Sequence, residues 1–197
     1  MMQRRQLSFL LKAGTLWGVG VSLILALSWR VSPRFRRLAS LDGDPALYSG
    51  MIEEAADRHG VAPNLIRGVI RQESGFQPRV VGGAGEIGLM QITPVAAKDW
   101  CAAHGVDYRF RGWLCDPRFN IEVGTWYLAR GLRRWEAYDD KEVLALAEYN
   151  AGRGRVKRWL PDDPSEKAIG GIGFSSTKAY ITRILKFRDM YDQKAPD

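Results

Sequence analysis

The sequence predicts a mainly α protein: one helical domain carried behind an N-terminal transmembrane helix. Three observations point there. Residues 13–29 form a run of seventeen without a charge, with basic residues on both sides. From residue 47 onward, apolar residues recur at helical spacing in segments opened by proline and closed by glycine. With 197 residues and 46% hydrophobic content, the chain can bury one proper core and carry something extra.

The extra is the N-terminus. Arg4, Arg5 and Lys12 precede the uncharged run, and Arg30, Arg34, Arg36 and Arg37 follow it. Its length is at the short limit for a bilayer span, and Leu7 to Leu11 lengthen it if Lys12 snorkels. The first reading is an uncleaved signal anchor. A cleaved signal peptide is the alternative, because Ala26 and Ser28 offer a small-x-small site. No cysteine lies nearby, which removes a lipoprotein anchor. The expected organisation is a cytoplasmic tip and anchor over 1–30, a linker over 31–46 containing Pro33, Gly43 and Pro45, a domain over 47–192, and a tail over 193–197.

Charge excludes one class of partner. The net +7 is concentrated at the front: residues 1–45 hold seven basic and two acidic side chains, leaving 22 against 20 for the domain. A nucleic-acid surface is therefore not indicated. The cluster Arg153, Arg155, Lys157, Arg158 reads as a solvated helix face.

Within the domain, a helix over 47–59 ends at Gly60, and a second over 63–74 opens on Pro63. Residues 75–88 contain five glycines and little period, so they form a loop able to bring backbone close to a ligand, with at most a small β element near 75–92. Thr93 and Pro94 supply an N-cap and first turn for a helix over 94–104, closed by Gly105. Asp116-Pro117 opens the longest helix by the same device. Its inward face includes Ile121, Gly124, Leu128, Gly131, Leu132 and Trp135, and the two glycines lower helix propensity unless a neighbouring helix approaches there. Asp139 or Asp140 caps a helix over 141–150. After a polar loop over 161–176, Ser175 or Ser176 caps the last helix, about 177–192, with Tyr180, Ile184, Phe187 and Tyr191 along one side. Cys101 and Cys115 can form one disulfide in an exported domain or remain reduced core residues, with modest preference for the bond. The two histidines, His59 and His104, each precede a helix-ending glycine, so no metal cluster or Cys-His pair is expected and no cofactor is implied.

One carboxylate stands out. Glu73 continues the apolar face of Ile66, Val69 and Ile70, which points it inward. Gly75 stops the helix just after it and leaves Glu73 at the negative end of the helix dipole. Both effects disfavour the anion, which suits a general acid. A salt bridge to Arg67 or Arg71 is the competing, purely structural use of such a glutamate.

The ordered runs Glu73-Ser74-x-Phe76-x-Pro78, Gly88-Leu89-Met90-Gln91, Glu148-Tyr149-Asn150-Ala151-Gly152 and Thr177-x-x-Tyr180 resemble the lytic transglycosylases that cleave bacterial peptidoglycan. The resemblance covers roughly 47–192 and implies a lysozyme-like domain of the goose-type lysozyme and lytic transglycosylase kind. It implies that Glu73 is the single catalytic acid and base. It also implies that Ser74, Met90, Gln91, Tyr149, Asn150 and Tyr180 bind or shape the glycan site, Met90 as its apolar floor. The expected activity is cleavage of the MurNAc-GlcNAc β-1,4 bond with formation of a 1,6-anhydro end. The expected setting is the periplasmic face of the inner membrane, with glycan strands and an envelope-spanning complex as partners. A hydrolytic muramidase using Glu86 or Glu148 as second carboxylate, and a non-catalytic peptidoglycan-binding scaffold, are the alternatives. The chain departs from the common pattern at three places: Gly82 where many members have serine, Glu86 where alanine is frequent, and Ser176 where many have glutamate.

Overall fold

The computed structural model describes residues 43–193, so the expected anchor, most of the linker and residues 194–197 lie outside the described residues. Seven α-helices occur among the described residues: α1 (Ser49–His59), α2 (Pro63–Glu73), α3 (Pro94–Ala103), α4 (Pro117–Arg134), α5 (Lys141–Ala151), the single-turn α6 (Arg153–Val156) and α7 (Ser175–Asp192). Among them no helix is long and apolar enough to cross a membrane. Extended structure among the described residues is confined to two isolated antiparallel bridges, Val81 with Ile87 and Ile87 with Ile92.

Local chemistry sets most boundaries. Pro63, Pro94 and Pro117 each occupy a first turn, where a missing N–H costs nothing. Thr93 accepts a hydrogen bond from the Ala96 N–H, and Asp116 accepts one from Phe119. Gly60 closes α1 in the left-handed region at φ 66°. Two expected caps differ. Asp140 precedes α5, but its carboxylate turns away to the Ala168 N–H and the Lys167 ammonium, tying α5 to a 3-10 turn at Ala168–Gly170. The last helix begins at Ser175 itself, and Phe174 before it makes no side-chain cap.

The core is assembled from helix faces and held close by small residues. Helix α2 is flanked by α1 and packed chiefly against α7, while α4 packs on α1 and α5. A methyl at Gly68 would stand 2.9 Å from the Ile184 carbonyl, so that glycine sets how closely α2 approaches α7. Gly131 does the same for α4 against Ala145 of α5. Gly124 serves a different neighbour: a methyl there would meet the Met90 Sδ at 2.4 Å, so it receives a loop side chain and not a helix. The disulfide considered for Cys101 and Cys115 is not formed. Both are free thiols, Cys101 buried on the inner side of α3 and Cys115 half-buried at the end of the 3-10 turn Arg111–Cys115.

Asn120 in α4 was not singled out by the sequence and organises the central loop. It is fully buried. Its Oδ1 accepts the Met90 N–H at 2.7 Å, and its Nδ2 donates to the carbonyls of Ile87 (2.8 Å) and Leu114 (2.9 Å). Gly88 passes so close above it, at φ 84°, that any side chain would strike the amide 2.5 Å away. One side chain thus satisfies three buried backbone groups and fixes the Gly88–Gln91 turn against α4.

Candidate active site

Glu73 is the last residue of α2, and Ser74 and Gly75 reverse the chain after it, with Gly75 at φ 60°. The next side chain, Phe76, is fully buried at φ 67° and stacks on Tyr48 with ring centroids 6.2 Å apart. A left-handed phenylalanine costs about 1–3 kcal/mol and persists only where packing holds it. That packing aims the α2 terminus, and Glu73 with it, toward the 80–91 loop.

The Glu73 carboxyl is half-buried and pairs with no arginine among the described residues. Arg67 bonds to Glu53 and Asn64, and Arg71 lies over the Phe187 ring. Its hydrogen-bond partner is Tyr180 of α7, whose hydroxyl donates to Oε1 at 2.6 Å. Burial is the main reason its pKa is pushed up from 4.5 to about 7; the Tyr180 hydrogen bond pulls it down and the Glu86 charge pushes it up again. Near neutrality it therefore holds its proton part of the time and can both give and take one. Burial and the adjacent Glu73 hold the Tyr180 and Tyr149 phenols well above their usual range, so both remain neutral donors.

The sequence motifs converge on this carboxyl from three directions, with divided roles. Tyr149 at the end of α5 donates to the Met90 carbonyl at 2.8 Å. Asn150 beside it is exposed, and its Oδ1 accepts from Thr177 of α7 at 2.9 Å. Two expectations need correction. Ser74 is buried and its hydroxyl donates to the Leu89 carbonyl at 2.8 Å, so it fastens the loop to the end of α2 and is not presented to a ligand. Met90 is fully buried against Gly124 and Thr125, so its side chain supports the site from beneath and forms no part of an exposed floor. Gln91, at φ 50°, donates through Nε2 to the carbonyls of Val80 (3.1 Å) and Gly88 (2.9 Å), leaving its Oε1 as the free end.

The two candidates for a second carboxylate separate clearly. Glu148 is committed to structure, bonding Arg134 and accepting the Trp135 indole N–H at 2.9 Å. Glu86 lies in the loop, accepts the Ala84 N–H at 3.0 Å, and has no cationic partner among the described residues. The departures at 82 and 86 are sterically linked. A methyl at Gly82 would stand 2.6 Å from the Glu86 Oε2 and 2.6 Å from the Gln91 Oε1. The Glu86 carboxylate occupies space that a side chain at 82 would need. Nothing in the structure explains Ser176 in place of glutamate.

Comparison with known proteins adds the family. The family model described as the transglycosylase SLT domain matches residues 50–169. A soluble lytic murein transglycosylase of Salmonella typhimurium is 30% identical over 152 residues, which cover 75% of this chain and 23% of that protein. A membrane-bound lytic murein transglycosylase F of Desulfosudis oleivorans is 41% identical over 175 residues, covering 75% of this chain and 37% of its own. Among solved structures, an inactive mutant of lytic transglycosylase Slt from Pseudomonas aeruginosa superposes with a TM-score of 0.68 at 31% identity, over 76% of this chain and 24% of that one. The chain thus spans about a quarter of the length of the soluble relatives it matches.

Proposed function

The chain belongs to the transglycosylase SLT domain family and shares its mainly helical, lysozyme-like fold, and from that premise we propose that it is a peptidoglycan lytic transglycosylase with Glu73 as its one acid and base. The observation that carries the reading is the Glu73 carboxyl itself: half-buried, without a cationic partner among the described residues, held by the Tyr180 hydroxyl and poised at about pH 7. Glycoside cleavage needs a proton for the leaving oxygen and a nucleophile at the anomeric carbon. Glu73 in its acid form protonates the oxygen between MurNAc and GlcNAc, and the C1–O bond breaks. As carboxylate it then takes the proton of the MurNAc 6-hydroxyl, whose oxygen bonds to C1 and closes a 1,6-anhydro ring. The nucleophile belongs to the substrate, so attack is intramolecular and needs no captured water.

The supporting residues follow from their contacts. Tyr180 orients the carboxyl, Tyr149 fixes the Met90 backbone beneath it, and the exposed Asn150, whose Oδ1 is taken by Thr177, has its amide nitrogen to offer the glycan. A hydrolytic muramidase would require a second carboxylate to activate water, and of the two considered Glu148 is already tied to Arg134. For placement in the cell, the same proposal takes residues 13–29 as a single inner-membrane span, 31–46 as a linker, and 47–192 as a periplasmic catalytic domain acting on glycan strands within an envelope complex. Membrane-bound transglycosylases among the relatives support an envelope location.

The test is mass spectrometry of material released from purified sacculi by residues 31–197, with Glu73→Gln as control. Anhydro-muropeptides from the wild type alone are expected. Reducing MurNAc ends would mean hydrolysis, and sacculus binding without release by either protein would mean a scaffold.

A further inference from the structure

The corner above Gly82 has a chemistry that the cleavage reaction does not use. Gln91 spends its amide nitrogen inward on the Val80 and Gly88 carbonyls, so the group it presents at the corner is an acceptor oxygen. Glu86 presents a second acceptor, its Oε2, which takes the Ala84 N–H at 3.0 Å and keeps a lone pair for another donor, and an ionised carboxylate has no proton to offer. Both oxygens lie 2.6 Å from the point where a Gly82 side chain would begin. A single nitrogen at ordinary hydrogen-bond distance, about 2.8 Å, can therefore reach both. No arginine, lysine or histidine among the described residues pairs with Glu86. The corner thus holds an uncompensated negative charge beside a neutral acceptor, over a bare Cα.

A hydroxyl has one proton and satisfies one of these acceptors. An acetylated amine has one N–H and a bulky acyl group. A primary ammonium has three protons and a charge, so it satisfies both oxygens and neutralises the carboxylate. We propose that Glu86 and Gln91, converging over Gly82, form a specificity corner that takes a primary amine carried by the substrate. Two parts of a peptidoglycan strand can bring that group: an amino sugar lacking its N-acetyl group, or the free side-chain amine of a diamino acid in a peptide stem. The proposal rests on the reading of this cleft as a glycan site. It also gives the paired departures at 82 and 86 a common reason, since the glycine makes room for the carboxylate.

Binding tests it without requiring turnover. Calorimetry on the full chain carrying Glu73→Gln, at mildly acidic pH and low salt, compares two pairs of probes: the tetrasaccharide of N-acetylglucosamine against the same tetrasaccharide with free amines, and a stem tripeptide bearing lysine against its Nε-acetylated form. An amine-bearing probe is expected to bind about tenfold tighter than its acetylated counterpart, the size of one charge-assisted hydrogen bond. The gain should shrink with added salt. It should fall to about unity on adding Glu86→Gln, which keeps shape and removes charge, or Gly82→Ala, which plants a methyl between the two oxygens. A gain confined to the sugar or to the peptide assigns the source of the amine. Equal affinity for free and acetylated forms of both, or a preference that survives Glu86→Gln, overturns the proposal. Anhydro ends formed by a wild-type enzyme with no amine preference would remove the corner and leave the cleavage reading standing.

Discussion

Glu73 and Glu122 are both glutamates drawn into the helical core, and their surroundings make opposite things of them. Glu122 of α4 lies between Arg58 and His59 at the end of α1, with His59 at 2.7 Å, and its side chain is only 11% exposed. Two potential cations accompany that burial, and the result is a tie between two helices. Among the described residues Glu73 has no cation, one phenol and a neighbouring carboxylate, and its proton is held to about pH 7. The difference teaches that burial alone does not make a carboxyl reactive. What matters is whether the fold supplies compensating charge or withholds it.

The comparison breaks if the two glutamates respond alike. Glu73→Gln is expected to reduce anhydro-muropeptide release by about 1,000-fold, within the range of a lost general acid, while far-ultraviolet circular dichroism stays unchanged. Glu122→Gln is expected to do the reverse, keeping turnover while losing about 1–2 kcal/mol in urea unfolding as Arg58 and His59 lose their countercharge. Between these lies Asn120→Ala. It strips partners from the Met90 N–H and the Ile87 and Leu114 carbonyls, so a loss of about 3 kcal/mol is expected, with raised proteolysis of the 80–91 loop as a second readout.

Two smaller effects sharpen the contrast. The folded pKa of Glu73 lies above its ordinary value of 4.5, so the folded state binds the extra proton between there and about 7. Its contribution to stability is complete below that window and is lost as pH rises through it. Glu73→Gln should therefore stabilise the protein by about 1–3 kcal/mol at pH 8 and by almost nothing at pH 4, measured by thermal unfolding at each pH. Tyr180→Phe removes the hydrogen bond that favours the carboxylate. The limb of the pH–rate profile governed by Glu73 should move upward, by about one unit or less, and a downward shift would contradict the assignment.

Much of the domain was legible along the chain because its signals are local. Pro63, Pro94 and Pro117 start helices wherever they fall, Gly60 ends one, and the apolar spacing before Glu73 turns it inward. Motif resemblance singled out Glu73 and Tyr180, and the structure brings them within hydrogen-bond reach. Ser74 and Met90 were misplaced because a motif states which residues recur and not whether a hydroxyl points at a ligand or at the Leu89 carbonyl. Asn120 shares a helix face with Gly124 and Leu128, so a polar residue in an apolar stripe was the available sign, but its three partners come from 87, 90 and 114.

What the sequence by itself determined is where the helices begin and end and that Glu73 is turned inward, since capping, proline geometry and periodicity act over a few residues. Only the tertiary structure decided which inward glutamate would go without a cation, that Glu148 is spent on Arg134, and that Glu86 can stand where Gly82 leaves room. Those outcomes depend on groups far apart in the chain, and both electrostatic compensation and steric room are set by distance in space.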